Sequence, residues 1–97
     1  MVVVHDTFRI RFGAARDVRA LLEEGMIAMQ DDGSMANMRA LWNYTGPNYT
    51  VVLESTFDSL AALETEMKTA MSNPVWQEWY RKFVPFIEEG HRTIYTT

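Results

Sequence analysis

Ninety-seven residues with a formal charge of −4 and no cysteine suit one domain and leave no room for a second. They also exclude disulfides, thiolate metal sites and a cysteine nucleophile, and no basic cluster is long enough to grip nucleic acid. A chain of this size buries only about 60–65% of its unfolded surface, yet 47% of its residues are hydrophobic, with three Trp, four Tyr, five Phe and seven Met, so a pocket or a subunit interface is expected to take the excess.

The chain opens on an apolar run that His5-Asp6 interrupts, too short for a signal peptide or a membrane span. A cytosolic protein without membrane or nucleic-acid partners is the expectation. Residues 2–12 alternate: Val4, Phe8, Ile10 and Phe12 share one parity, and His5, Thr7, Arg9 and Arg11 the other. This is a strand with one apolar face. Asp6 falls on the apolar parity and breaks it. Val18, Leu21, Leu22, Gly25, Met26 and Met29 then follow helical spacing over residues 15–30. Gly25 lies on that stripe, which signals close backbone approach. Asp31-Asp32-Gly33 is expected to end the helix in a turn.

Residues 36–45 alternate again, placing Met38, Ala40, Trp42 and Tyr44 on one face. Gly46-Pro47-Asn48 is a turn signal. A third alternating run begins at Tyr49 and ends at Phe57, so the two runs read as an antiparallel hairpin. Asp58 is expected to cap a helix with the stripe Leu60, Leu63, Met67 and Met71. Asn73-Pro74 is a second start, with a cap residue followed by proline at the first helical position. Trp76, Trp79, Tyr80 and Phe83 supply the buried face of that helix, and Pro85 ends or kinks it. Gly90 is expected to release the chain into a last strand over 91–96. The order β-α-β-β-α-(α)-β predicts a ferredoxin-like α+β sandwich, with a four-stranded antiparallel sheet and helices on one face.

The stretch Glu54-Ser55-Thr56-Phe57-Asp58-Ser59-Leu60-Ala61-Ala62-Leu63 resembles the strand-to-helix junction of dimeric α+β barrel proteins. So do Asn73-Pro74 with Trp76 close behind, and the ending Arg92-Thr93-Ile94-Tyr95. Within that superfamily the pattern is most similar to the NIPSNAP-like branch. The resemblance implies one such domain over 1–97, and a homodimer in which two sheets meet face to face. Val3, Thr7, Leu41 and Val52 would then be covered. It also implies a pocket between helices and sheet. Related branches include cofactor-independent monooxygenases and haem proteins.

His5 has the titration range of a general base, with a hydrogen-bonded histidine inside the dimer barrel as the plainer alternative. Asp6 on a helix-covered face needs a partner or a ligand, unless a bulge turns it to solvent. These two are the candidate catalytic residues. Trp42, Tyr44, Trp76, Trp79 and Tyr80 are the candidate walls of a pocket for a planar or apolar ligand, although the same spacing suits core packing. His5 and His91 stand too far apart in the sequence, without carboxylates at ligand spacing, to suggest a metal site. Residues 58–89 contain no histidine to ligate haem, so no cofactor is expected. Arg9, Arg11 and Arg39 are expected to pair with Glu54 across strands. The leading expectation is a NIPSNAP-like dimeric barrel that binds a small apolar or aromatic molecule. A cofactor-independent monooxygenase and a structural dimer with a filled core are the alternatives.

Overall fold

In the computed structural model, which describes residues 1–31 and 37–97, the first alternating run becomes β1 (Val2–Ile10). It is followed by α1 (Ala15–Asp31), β2 (Arg39–Trp42), β3 (Thr50–Phe57), α2 (Leu60–Met71) and α3 (Pro74–Phe83). A 3₁₀ turn (Val84–Phe86) then leads into β4 (Ile87–Thr96). The sheet order is β2-β3-β1-β4 with every neighbouring pair antiparallel, the ferredoxin-like α+β arrangement that the element order predicts. The expected turn at Asp31-Asp32-Gly33 begins inside α1, which runs through Asp31; Asp32, Gly33 and the expected start of the second strand at Ala36 fall outside the described residues.

Residues directly opposite one another in a ladder share a face of the sheet. Val4, Asp6 and Phe8 of β1 therefore share a face with Ser55, Leu53 and Val51 of β3 and with Ile94, Arg92 and Gly90 of β4. The helices cover this face. Ile10, Val51 and Leu53 pack there with Val18 and Leu22 of α1 and with Trp79 and Phe83 of α3 in one buried cluster. The other face carries Val3, His5 and Thr7 opposite Thr56, Glu54 and Val52, and among the described residues no helix packs over it.

Several boundaries differ from expectation, each for a local reason. β1 stops at Ile10, so Phe12 is exposed instead of buried and rests against the ring of Tyr49, centroids 5.0 Å apart. Tyr49 is not a strand residue. It adopts φ 61°, and its carbonyl accepts the Ile10 amide at 2.7 Å. The cap of α2 is Ser59, not Asp58, because the Ser59 hydroxyl accepts the Ala62 amide at 3.1 Å. The buried stripe of α2 runs through Leu63 and Ala70, which leaves Leu60 and Met71 exposed. β4 begins at Ile87, and Gly90 lies inside it instead of ahead of it. The ring of Phe8 lies against the β4 backbone there, and a Cβ at Gly90 would stand 2.7 Å from Phe8 Cδ1.

The start of α3 follows the sequence closely. Asn73 Oδ1 accepts the Val75 amide at 2.9 Å, and Pro74 occupies the first turn. Asn73→Ala is expected to cost about 1 kcal/mol through the lost cap, measured by urea denaturation. Unchanged stability would mean that the cap contributes nothing to this helix.

Candidate functional site

A cavity of about 690 Å³ separates the helix-covered face of the sheet from α2 and α3. Its floor includes Val4, Phe8 and Leu53, and its roof includes Leu63, Trp76 and Trp79. The volume lies within the range of small-molecule sites, about 300–1,000 Å³. α3 builds the roof by its spacing: Trp79 and Phe83 turn inward and are buried, whereas Trp76 is half-buried and Tyr80 partly exposed. The rings stack in two tiers, Trp76 on Tyr80 and Trp79 on Phe83, each pair with centroids 4.8 Å apart. Trp79 is fixed further by its indole N–H, which donates to the Leu21 carbonyl of α1 at 2.6 Å. Gly25 makes room for that indole, since a Cβ there would stand 2.7 Å from Cε2.

The polar wall is Asp6. It points to the helix side, and Arg92 of β4, directly opposite in the ladder, donates Nε to Oδ1 at 2.6 Å and Nη2 to Oδ2 at 3.2 Å. Asp6 thus has the partner that burial demands. Ser55, the other polar residue on an apolar parity, is buried against the same cavity. Among the described residues, no buried side-chain nitrogen or oxygen lacks a hydrogen-bond partner.

The sequence-predicted residues divide. Asp6, Trp76, Trp79 and Tyr80 meet at the cavity. Trp42 faces the helix side from β2 but lies outside the cavity, half-buried, with the Arg19 guanidinium 4.2 Å from its ring centroid. Tyr44 is fully exposed in the β2–β3 connection, beyond the end of β2 at Trp42, and contributes no wall. His5 immediately precedes Asp6 in β1, and the alternation of the strand puts it on the opposite face. One cavity therefore does not bring His5 and Asp6 together. His91 is exposed within β4, opposite Thr7. Arg92 is the site residue that sequence reasoning missed. An unpaired aspartate on an apolar parity of β1 and an arginine on the paired strand were its only signal.

On the open face, His5, Glu54 and Arg39 form a row across three strands. The His5 imidazole donates Nε2–H to Glu54 Oε2 at 2.8 Å, and Arg39 Nε donates to Oε1 at 2.7 Å. The Tyr95 ring meets His5 edge-on at 5.2 Å. Arg39 is thus the arginine that pairs with Glu54, while Arg9 pairs with Glu88 at 3.4 Å. The hydrogen bond from His5, and then that from Arg39, hold the Glu54 carboxyl below its ordinary 4.5. A carboxyl lowered in the folded state adds stability above pH 4.5 and loses it as pH falls through that value toward the lowered one. Glu54→Gln is expected to flatten the loss of stability below pH 4.5, read from denaturation midpoints at stepped pH. An unchanged slope would show that the row does not respond to acid.

Among the described residues, no helix is long and apolar enough to cross a membrane, and no three His, Asp or Glu side chains gather as a metal site requires. The whole is a ferredoxin-like α+β domain with one bare sheet face and a ligand-sized cavity under its helices. The NIPSNAP family model matches residues 5–97, and the chain belongs to that family. An uncharacterized NIPSNAP domain protein from Burkholderia xenovorans superposes with a TM-score of 0.88 at 18% identity, over 100% of this chain and 94% of that one. A NIPSNAP family protein from Agrobacterium tumefaciens gives 0.89 at 22% identity, over 99% and 84%. A more distant structure, an antibiotic biosynthesis monooxygenase, shares the fold with a TM-score of 0.76 at 13% identity, over 100% and 98%. No curated protein sequence matches the chain.

Proposed function

We propose that this NIPSNAP-family protein is a cytosolic homodimer that binds a small apolar or aromatic molecule between its sheet and helices. The observation that carries the binding reading is the cavity of about 690 Å³, walled by aromatic side chains and bearing the Asp6–Arg92 ion pair on its wall. A core filled for stability alone would close such a space, because packing density in interiors matches that of organic crystals. The structural-dimer alternative calls for a filled interior, and the cavity disfavours it. The test is native mass spectrometry of the protein as purified from its own host. An adduct of a few hundred daltons, released on denaturation and reproducible between preparations, supports the reading. A ligand-free protein that also fails to bind a panel of small aromatic compounds would remove it.

The dimer reading rests on the bare face. Val3, Leu41 and Val52 are only half-buried on it, and no helix among the described residues covers them. Two sheets meeting there would bury about 2,000 Å² or more, as obligate interfaces do. Light scattering at micromolar concentration is expected to give twice the 11.2 kDa chain mass; a monomer mass would end the dimer reading.

A further inference from the structure

Arg92 stands at the rim of the cavity, its side chain 38% exposed, with its strong hydrogen bonds on one side only. Nε and Nη2 engage the two oxygens of Asp6, at 2.6 and 3.2 Å, and this fork fixes the guanidinium plane. Nη1, on the remaining edge, faces the sulfur of Met67 at 2.9 Å. A thioether is a weak acceptor. It also sits on an unbranched side chain with three rotatable bonds, which yields readily to a better occupant. Asp6, Met67 and Arg92 all line the cavity.

We infer that the Nη1 edge of Arg92 is the polar anchor of the cavity, and that its ligand is a neutral apolar molecule bearing one carbonyl-type oxygen, such as an aryl ketone. This rests on the cavity being the ligand site. The ligand oxygen displaces the Met67 sulfur and accepts the Nη1 hydrogen bond, while the apolar body lies along Trp76, Trp79 and Phe83. Three observations select a neutral acceptor over an anion. Asp6 already neutralises the guanidinium, so a second carboxylate on Nη1 would meet an attraction largely offset by repulsion from Asp6. The β4 rim adds Glu89, beside Glu88 that Arg9 already pairs, in a chain of net charge −4. An apolar chamber also penalises desolvation of a carboxylate far more than that of a carbonyl. A plain hydrocarbon fills the chamber but leaves Nη1 on the thioether and gains nothing from the anchor.

The test compares three probes of one shape by isothermal titration calorimetry on the full chain: 2-acetylnaphthalene, 2-ethylnaphthalene and 2-naphthoate. The ketone is expected to bind about tenfold tighter than the hydrocarbon, the gain of one hydrogen bond to a charged donor, and tighter than the carboxylate. In Arg92→Met the ketone-to-hydrocarbon ratio is expected to fall to about one. If that variant does not fold because Asp6 is left without a partner, the double variant Asp6→Asn with Arg92→Met removes both charges and gives the same readout. Equal affinity of ketone and hydrocarbon in the wild type would overturn the anchor while leaving the cavity reading intact. Tightest binding of the carboxylate would overturn the neutral class. Binding of none of the three would overturn the anchor and the cavity reading together.

Discussion

Phe83→Ala is expected to destabilise the fold by about 3–5 kcal/mol, a large part of the roughly 5–15 kcal/mol that holds a domain folded. Phe83 is 1% exposed. Its ring stacks on Trp79 and meets Phe8 edge to face at 5.1 Å, so it joins α3 to β1. The cost of a large-to-small change grows with the void left behind. Phe83 already borders the cavity, so the vacated volume would merge with existing space, and the walls would have little to close upon. The upper half of the range is therefore expected. Guanidinium denaturation followed by circular dichroism measures it, and a loss under about 1 kcal/mol would show that the ring is not a keystone of this core.

Gly25→Ala is expected to reverse the usual sign of that substitution. In a helix interior alanine is favoured over glycine by about 1 kcal/mol. Here the new methyl would stand 2.7 and 2.8 Å from carbons of the Trp79 indole. The indole cannot retreat without stretching its 2.6 Å hydrogen bond to the Leu21 carbonyl. Overpacking costs about 1–3 kcal/mol, and a buried donor left unmade costs a similar amount. A net loss of about 2 kcal/mol follows. Trp79→Ala alone also destabilises, but in its background Gly25→Ala is expected to become neutral or stabilising. That coupling is readable in a double-mutant cycle. A simple sum of the two single effects would sever the link between glycine and indole.

Local pattern carried most of the architecture. The parity of residues 2–10, the helical stripe around Gly25 and the Asn73-Pro74 restart each depend on neighbours in sequence, and each appears in the structure where expected. What was not legible depends on pairing at a distance. Trp42 has the helix-side parity expected of it, but β2 is the far edge strand of the order β2-β3-β1-β4. There Trp42 lies under Arg19 of α1 instead of walling the cavity. Arg92 was visible as a residue but not as the partner of Asp6, because the register of β4 on β1 is not encoded in either strand alone. The extent of β4 was masked by Gly90, which reads as a boundary until the ring of Phe8 is seen to occupy the place of its side chain.

β1 is flanked on both sides, and its consecutive residues His5 and Asp6 serve different neighbourhoods: the imidazole joins Glu54 and Arg39 on the bare face, and the carboxylate joins Arg92 at the cavity. Only the thickness of one backbone separates them. Point changes on one side leave the other side's chemistry in place, so the two surfaces are free to diverge independently over evolutionary time. Insertions and deletions have no such freedom. A slip of one residue in β1 inverts every side chain at once, carrying the imidazole under the helices and the carboxylate out to the bare sheet. The strand is therefore permissive to spelling and intolerant of frame, and homologues that vary widely in the letters of this segment are expected to keep its length.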